Sequence, residues 1–151
     1  MPETKPQDPD FESRVRASFE RQQVMHTMGA RLTLVEPGTV EIELPFRADL
    51  TQQHGFIHAG VTTTLLDSAC GYAAYTLMPP DAAVLSIEFK VNLLAPAKGE
   101  LIRVRAEVKR AGRNVTVCAA DAFAIDGGQT KPVATMLGTM MTIRGRDDMT
   151  G

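Results

Sequence analysis

Beyond residue 80, hydrophobic and polar residues alternate along four long stretches, residues 84–94, 100–110, 114–125 and 132–143. A period of two places successive side chains on opposite faces and therefore predicts β-strands. The first stretch predicts one apolar face, made of Leu85, Ile87, Phe89, Val91 and Leu93, and one polar face that contains Ser86. Short segments rich in Pro, Gly and Asp join the four stretches, so neighbouring strands are expected to run antiparallel.

The N-terminal third predicts a helix followed by a hairpin. Residues 10–27 carry apolar side chains at nearly helical spacing, which indicates an amphipathic helix with Asp10 as its N-cap. Residues 32–44 alternate on either side of Pro37 and Gly38, a pair typical of turns, and predict two strands. Three prolines in the first nine residues favour a flexible tail over residues 1–9, and residues 146–151 are expected to form a second tail. A single domain is therefore expected over residues 10–145.

Residues 58–78 form a run that is apolar or small on every side, which predicts a helix enclosed by the rest of the fold. Pro79 and Pro80 end it. Small residues along the run, Gly60, Ala69, Gly71, Ala73 and Ala74, are expected to let a sheet approach closely. One enclosed helix beside about six strands gives an α+β fold, in which a curved antiparallel sheet wraps a central helix and an extra helix precedes it.

Composition narrows the function classes. The 151 residues, 44% hydrophobic and 23% charged, are typical of one globular domain, and the net charge of −2 argues against a nucleic-acid-binding protein. No apolar run reaches the roughly 18–20 residues that span a bilayer, and the first ten residues are polar, so a cytoplasmic protein without a targeting segment is expected. The two cysteines, Cys70 and Cys118, make no disulfide framework.

Asp67 is the only acidic or basic residue between His58 and Asp81, and it lies in the middle of the most apolar predicted helix. Burying an unpaired carboxylate costs several kcal/mol. Two interpretations stay open: Asp67 pairs with a buried arginine or caps a loop, or it lies at a cleft and has a chemical function.

The segment before this helix, residues 49–60, is polar and contains two glycines. Free backbone N–H groups at a helix start can hold developing negative charge. Asp67 would lie about 12 Å further along the same helix, too far for both groups to act on one carbon. A site that uses both therefore requires helices from two protomers.

Residues 52–67, QQHGFIHAGVTTTLLD, resemble the N-x-x-G-x-x-H-G-G-x-x-x-x-x-x-D signature of acyl-CoA thioesterases with the hotdog fold, of the phenylacetic-acid-degradation (PaaI) type. Residues 85–97 resemble the strand that follows the helix in that family, and residues 108–114 resemble its basic turn. The resemblance covers roughly residues 30–144. It implies a hotdog fold, dimers with a continuous sheet, assembly to homotetramers, and active sites between protomers.

The resemblance also assigns roles. Asp67 matches the catalytic carboxylate, a nucleophile or a general base on water. The backbone N–H of Ala59, beside Gly60, matches the oxyanion site, and Gln52 stands where the family commonly has Asn. Ser86 matches a position that orients the water from the partner chain in some relatives. The nucleotide end of coenzyme A is expected at Lys109, Arg110 and Arg113, and the loop with His54, Gly55 and His58 at the substrate.

Coenzyme A would be part of the substrate, with no separate cofactor. His54 and His58 are four residues apart, but no further ligands with suitable spacing are near, so no metal site is expected. Cys70 is interpreted as a buried structural thiol. The methionines Met136, Met140 and Met141 either fill the core or line an acyl tunnel.

Two alternatives remain. Asp49 and His54 have the D-x-x-x-x-H spacing of hotdog enoyl-CoA hydratases, but the Asn-Pro between them is missing and Asp67 would be unexplained. The other alternative is a non-catalytic acyl-CoA binding protein on the same fold. Thioester hydrolysis is the favoured prediction, and the acyl group is left open.

Overall fold

The computed structural model describes residues 4–149 and 151. It contains the helices α1 (Phe11–Arg21), α2 (Gln23–Met28) and α3 (Ala59–Tyr75), and a 3-10 turn at Ala48–Leu50. The strands are β1 (Arg31–Glu36), β2 (Thr39–Pro45), β3 (Ala83–Leu93), β4 (Leu101–Ala111), β5 (Val115–Asp126) and β6 (Gln129–Ile143). The predicted α+β class, with six strands, a central helix and a preceding helical segment, is confirmed.

The six strands form one sheet in the order β1-β2-β4-β5-β6-β3, and all neighbours are antiparallel. Helix α3 packs on one face of this sheet, where Leu65, Leu66 and Ala69 are fully buried with Val104 and Ala106 of β4. The core therefore lies between α3 and the sheet. No helix among residues 4–149 is long and apolar enough to cross a membrane.

The single helix predicted over residues 10–27 is wrong in one respect, because the chain breaks at Gln22. This residue has an extended ψ of 99°, so α1 ends before it and α2 begins after it. Neither Pro nor Gly marks the break, which is why the apolar spacing hides it. Asp10 does occupy the N-cap position, but its side chain makes no capping hydrogen bond. Instead, the Asp10 backbone N–H donates to the Asp8 carboxylate at 2.9 Å.

Part of the predicted N-terminal tail contacts the domain. The Gln7 side chain donates to the Leu77 carbonyl at 2.9 Å, and the buried Asp8 forms an ion pair with Arg14 at 3.1 Å. Arg14 also donates to the carbonyls of Tyr75, Met78 and Pro79, at and just beyond the end of α3. These contacts attach α1 to the C-terminal end of α3. Residues 1–3 lie outside the described part of the chain.

Strand β3 does not keep the uniform alternation that the sequence predicts. Its register against β6 shifts between Ser86 and Glu88, where the strand contains a β-bulge. Ser86 pairs with the fully buried Met140, and Phe89 pairs with Gly138, whose inner side faces Cys70 of α3. Ser86 therefore shares the helix-facing side with Phe89, because a bulge reverses the facing of the residues after it.

Candidate active site

Asp67 lies half-buried in the middle of α3, and its carboxylate accepts a hydrogen bond from the Ser86 hydroxyl at 2.6 Å. The Ser86 hydroxyl also lies 3.3 Å from the Met140 sulfur. Within the described residues Asp67 forms no ion pair, so the interpretation as a partner of a buried arginine does not hold. The resemblance implied that Ser86 acts from the partner chain, whereas here it contacts Asp67 of its own chain. The β3 bulge makes this contact possible.

Asp67 opens onto a cavity of about 370 Å³ between the N-terminal helices, α3 and β3. The helical part of the chain contributes one wall, whose side chains Ser18, Gln22, Ser68 and Tyr72 can form hydrogen bonds. Asp148, Met149 and Gly151 also line it, so part of the predicted C-terminal tail lies at this cavity, while Thr150 falls outside the described residues. The carboxylate thus faces a space large enough for a small acyl group.

The start of α3 leaves one backbone donor free. The His58 ring accepts a hydrogen bond at Nδ1 from the Gly60 N–H at 2.8 Å and so caps the helix. The Ala59 N–H forms no hydrogen bond to any described residue. Of the two residues predicted at the oxyanion site, Ala59 therefore offers its N–H, while that of Gly60 is already used.

The loop before α3 fixes the orientation of Gln52. Its side-chain oxygen accepts hydrogen bonds from the backbone N–H groups of His54, at 2.6 Å, and Phe56, at 3.3 Å. Because backbone N–H groups only donate, this network assigns the oxygen and leaves the Gln52 Nε2 group as an outward donor. Gly55 has a φ of +84°, which permits the tight turn between those two contacts.

Gln52 and Ala59 line a second cavity of about 500 Å³, separate from the one at Asp67. Its other walls are mostly apolar and include Phe56, Ile57 and Leu94. Ala59 and Asp67 are eight residues apart on α3, about 12 Å along the helix axis. One chain therefore contains both halves of the predicted site but does not bring them together.

The residues predicted to bind coenzyme A line neither the cavity at Asp67 nor the cavity at Gln52 and Ala59. Lys109 and Arg110 are exposed at the end of β4, and Arg113 is exposed in the following turn. Arg113 lines a third cavity, of about 380 Å³, with Lys5 and Arg144 near the C-terminal end of α3. Arg113 is therefore at the opposite end of α3 from Ala59.

The remaining candidates contribute little to these cavities. His54 is exposed, and Asp49 forms a surface ion pair with Arg47 at 2.7 Å. No group of three or more His, Cys, Asp or Glu side chains in residues 4–149 could hold a metal ion. Met136 and Met140 are buried in the core, and the half-buried Met141 pairs with Leu85 on the outer face of the sheet.

Both cysteines are free and fully buried. Burial raises the pKa of the Cys70 thiol strongly, and burial raises the pKa of Cys118 to about 12. A thiol held protonated is a poor nucleophile, so Cys70 has the structural role that was expected.

The polar wall of the cavity at Asp67 was not predicted from the sequence. Ser18 and Gln22 lie in what looks like an ordinary amphipathic helix, and no local pattern distinguishes them from solvent-facing residues. Ser68 adjoins Asp67 in the sequence and could have been proposed from that position alone.

Residues 54–131 match the thioesterase superfamily. The chain belongs to this superfamily. It is 28% identical over 94 residues to a 1,4-dihydroxy-2-naphthoyl-CoA hydrolase of Listeria monocytogenes, which covers 62% of this chain and 76% of the relative. A crystal structure of a thioesterase family protein from Silicibacter pomeroyi is 52% identical, with a TM-score of 0.88 over 89% of this chain and 99% of that chain.

The PaaI protein of Escherichia coli superposes with a TM-score of 0.80 at 20% identity, over 90% of this chain and 95% of that one, and supports the fold alone. The predicted hotdog fold and thioesterase family are thus confirmed. Placement in the PaaI subgroup stays a prediction.

Proposed function

We propose that this thioesterase-superfamily member hydrolyses acyl-CoA or aryl-CoA thioesters to the free acid and coenzyme A, with Asp67 as the reacting carboxylate. The observation that carries the proposal is the Asp67 carboxylate itself, which has no ion-pair partner among the described residues, is held by Ser86 and opens onto a cavity. The similarity to a relative named as a CoA-thioester hydrolase supports the same reaction. We place the reaction in the cytoplasm, with no cofactor apart from the coenzyme A of the substrate.

Two routes fit a carboxylate in this position. As a general base, Asp67 takes a proton from water while the water oxygen adds to the thioester carbon, and the resulting tetrahedral oxyanion then collapses as the C–S bond breaks and the thiolate leaves. As a nucleophile, the Asp67 carboxylate attacks the thioester carbon, the C–S bond breaks and the coenzyme A thiolate leaves, which gives a mixed anhydride; water then cleaves the anhydride and releases the acid. In both routes the Ser86 hydroxyl holds the carboxylate towards the cavity, and the thiolate finally takes up a proton.

Both routes place negative charge on the thioester oxygen. The free Ala59 N–H and the Gln52 Nε2 group are the donors suited to stabilise it, at the positive end of α3. Since they lie in a different cavity from Asp67, a second copy of the chain supplies them. The active enzyme in this proposal is therefore at least a homodimer.

We place the contact with this second copy at strand β3, an edge of the sheet. It ends the sheet, and its apolar side chains Ile87 and Phe89 are 53% and 43% exposed. Pairing with the same strand of another chain would continue the sheet and cover these side chains. On the outer face, exposed Leu85 and Val115 both pair with Met141, and this apolar row suits the contact between dimers in a homotetramer.

The basic residues complete the proposed substrate site. Lys109, Arg110 and Arg113 are exposed and positively charged, which suits the phosphates of coenzyme A. The hydratase alternative is less well supported, because the Asp49 carboxylate is occupied by Arg47 on the surface. A non-catalytic acyl-CoA binder would need no reactive carboxylate at the cavity.

The test is Asp67→Asn, which keeps the side-chain size and an oxygen that can accept from Ser86. Release of free thiol from phenylacetyl-CoA and hexanoyl-CoA should fall by at least about 10²–10⁴, because the base or nucleophile is lost. The protein's own thiols are buried and give little background with a thiol reagent. The control, Asp81→Asn, changes an exposed carboxylate outside the site and should keep wild-type rates. Wild-type turnover by the folded Asp67→Asn protein would overturn the mechanism.

A further inference from the structure

The cavity at Asp67 has one polar wall, beside the apolar residues that β3 contributes. Gln22 and Ser68 form a reciprocal pair: the Gln22 amide nitrogen donates to the Ser68 hydroxyl at 3.2 Å, and that hydroxyl lies 3.3 Å from the Gln22 oxygen. Beside them, the Ser18 and Tyr72 hydroxyls are 3.3 Å apart. All four line the same cavity as the carboxylate. Polar groups in this arrangement can bind a polar atom of a ligand.

These wall contacts are long enough to be replaced. The usual lengths are about 2.7–3.2 Å for N–H···O and about 2.5–3.0 Å for O–H···O, so the Gln22 nitrogen contact lies at the long end of its range and the two O···O contacts of 3.3 Å are longer than usual. The Gln22 amide also has two N–H groups and an oxygen with two lone pairs, more than one serine can satisfy. Gln22 can therefore bind a ligand atom without losing all its partners.

The backbone at Gln22 places this side chain against α3. The extended ψ of 99° interrupts the helical segment, and the side chain crosses to Ser68, 46 residues further along the chain. The backbone at the break stays hydrogen-bonded, because the Gln22 N–H donates to the Phe19 carbonyl at 3.0 Å and the Met25 N–H donates to the Gln22 carbonyl at 3.1 Å. The break is thus the backbone position from which the Gln22 side chain reaches Ser68.

Gly71 lines the cavity at Asp67 and adds no side chain to it. It lies four residues after Asp67 on the same side of α3, and a Cβ added there would meet no heavy atom within 4 Å. The expectation that Gly71 allows close approach of the sheet is therefore wrong. Glycine inside a helix costs about 0.5–1 kcal/mol relative to alanine, and no packing contact requires it here. Open space next to the carboxylate is what this glycine provides.

We propose that Gln22 is a specificity-determining residue, which selects acyl groups that carry a hydroxyl, carbonyl or amide several bonds from the thioester. The proposal rests on the proposed function, because the thioester must lie at Asp67 for its acyl group to reach Gln22. The polar substituent hydrogen-bonds to Gln22 and Ser68, and an unsubstituted chain leaves these groups without a ligand partner. An apolar group thus loses the interaction and gains none in exchange.

The test compares two thioesters of equal length, 5-hydroxypentanoyl-CoA and hexanoyl-CoA, in which a terminal hydroxyl replaces a methyl group. The wild type should prefer the hydroxylated thioester by roughly tenfold in kcat/KM, the effect of about one hydrogen bond. Gln22→Leu should reduce this preference to near unity, mainly by raising KM for the hydroxylated thioester. Gln23→Leu, the same change one residue later at an exposed position, should keep the wild-type preference.

A structural role for Gln22 would lower both rates by the same factor, and an unchanged ratio in Gln22→Leu would overturn the proposal. Calorimetric binding of the same two thioesters to Asp67→Asn protein, with and without Gln22→Leu, separates this proposal from the proposed function. If the wild type hydrolysed neither thioester but bound the hydroxylated one more tightly through Gln22, the proposed function would be wrong and the role of Gln22 would stand. If it hydrolysed both thioesters without a preference that depends on Gln22, the role of Gln22 would be wrong and the proposed function would stand.

Discussion

At the scale of single residues, the two halves of the candidate site are fixed in different ways. Asp67 is held by one hydroxyl, whereas Gln52 is held by two backbone N–H groups that determine which end of its amide faces outward. In the proposed mechanism Gln52 acts through its free Nε2 donor, while its oxygen holds the loop. Because the oxygen and the nitrogen of this amide have different partners, one substitution can remove the donor and keep the contacts that hold the loop.

Gln52→Glu should keep the loop and lose the donor. A carboxylate oxygen still accepts from His54 and Phe56, but the group that faced the thioester oxygen no longer donates and carries negative charge. We expect kcat for thiol release to fall by about 10²–10³, in the range of one lost oxyanion donor. His54→Ala removes an exposed ring and should have a much smaller effect. The reverse order, with hydration of an enoyl-CoA abolished by His54→Ala, would support the hydratase alternative.

At the scale of elements, the proposed dimer makes activity depend on assembly through the exposed edge strand β3. Ile87→Asp places a charge among the apolar side chains that the second copy is proposed to cover. We expect sedimentation to show a shift from a dimer or larger species to monomer. Thiol release should fall more than about 100-fold, because Asp67 and Ala59 of one chain are about 12 Å apart along the helix.

The matched control for this change is Thr33→Asp on β1, the exposed strand at the other edge of the same sheet. It should leave both assembly and rate unchanged. A fully active monomer of Ile87→Asp would contradict the two-chain site.

Regular elements were predictable from the sequence, while the interruptions that shape the site were not. Period-two alternation identified β3 to β6 within about three residues at each end, and the apolar run identified α3, because burial requires those patterns. The break at Gln22 accompanies a contact with α3, and the bulge at Ile87 is a shift in register against β6. Both involve residues far away in the sequence, so the local pattern of residues does not predict them. Asp67 stood out because it is an isolated charge in an apolar helix, but the facing of Ser86 towards it required the bulge.

At the scale of the whole molecule, the buried thiols make the free energy of unfolding depend on pH in the alkaline range. Burial raises the pKa of Cys118 from 9.0 to about 12, and it also raises the pKa of Cys70. Below pH 9 both thiols are protonated in the folded and unfolded chains, so their contribution to stability is fully present. Above pH 9 the unfolded chain releases these protons while the folded chain retains them, and stability falls.

Each thiol should lower the free energy of unfolding by about 1.4 kcal/mol per pH unit above pH 9. Urea denaturation at intervals of half a pH unit, from about pH 8 to pH 10.5, measures this slope. Alanine does not titrate, so in Cys118→Ala the slope of the free energy of unfolding against pH should be smaller by about 1.4 kcal/mol per pH unit. This holds whatever the substitution does to the free energy of unfolding at neutral pH. Val117→Ala, on the same strand, should keep the full slope. If the slope were the same in Cys118→Ala as in the wild type, the buried thiol would not be its source, and groups such as Tyr72 and Tyr75, whose pKa values burial also raises, would have to account for it.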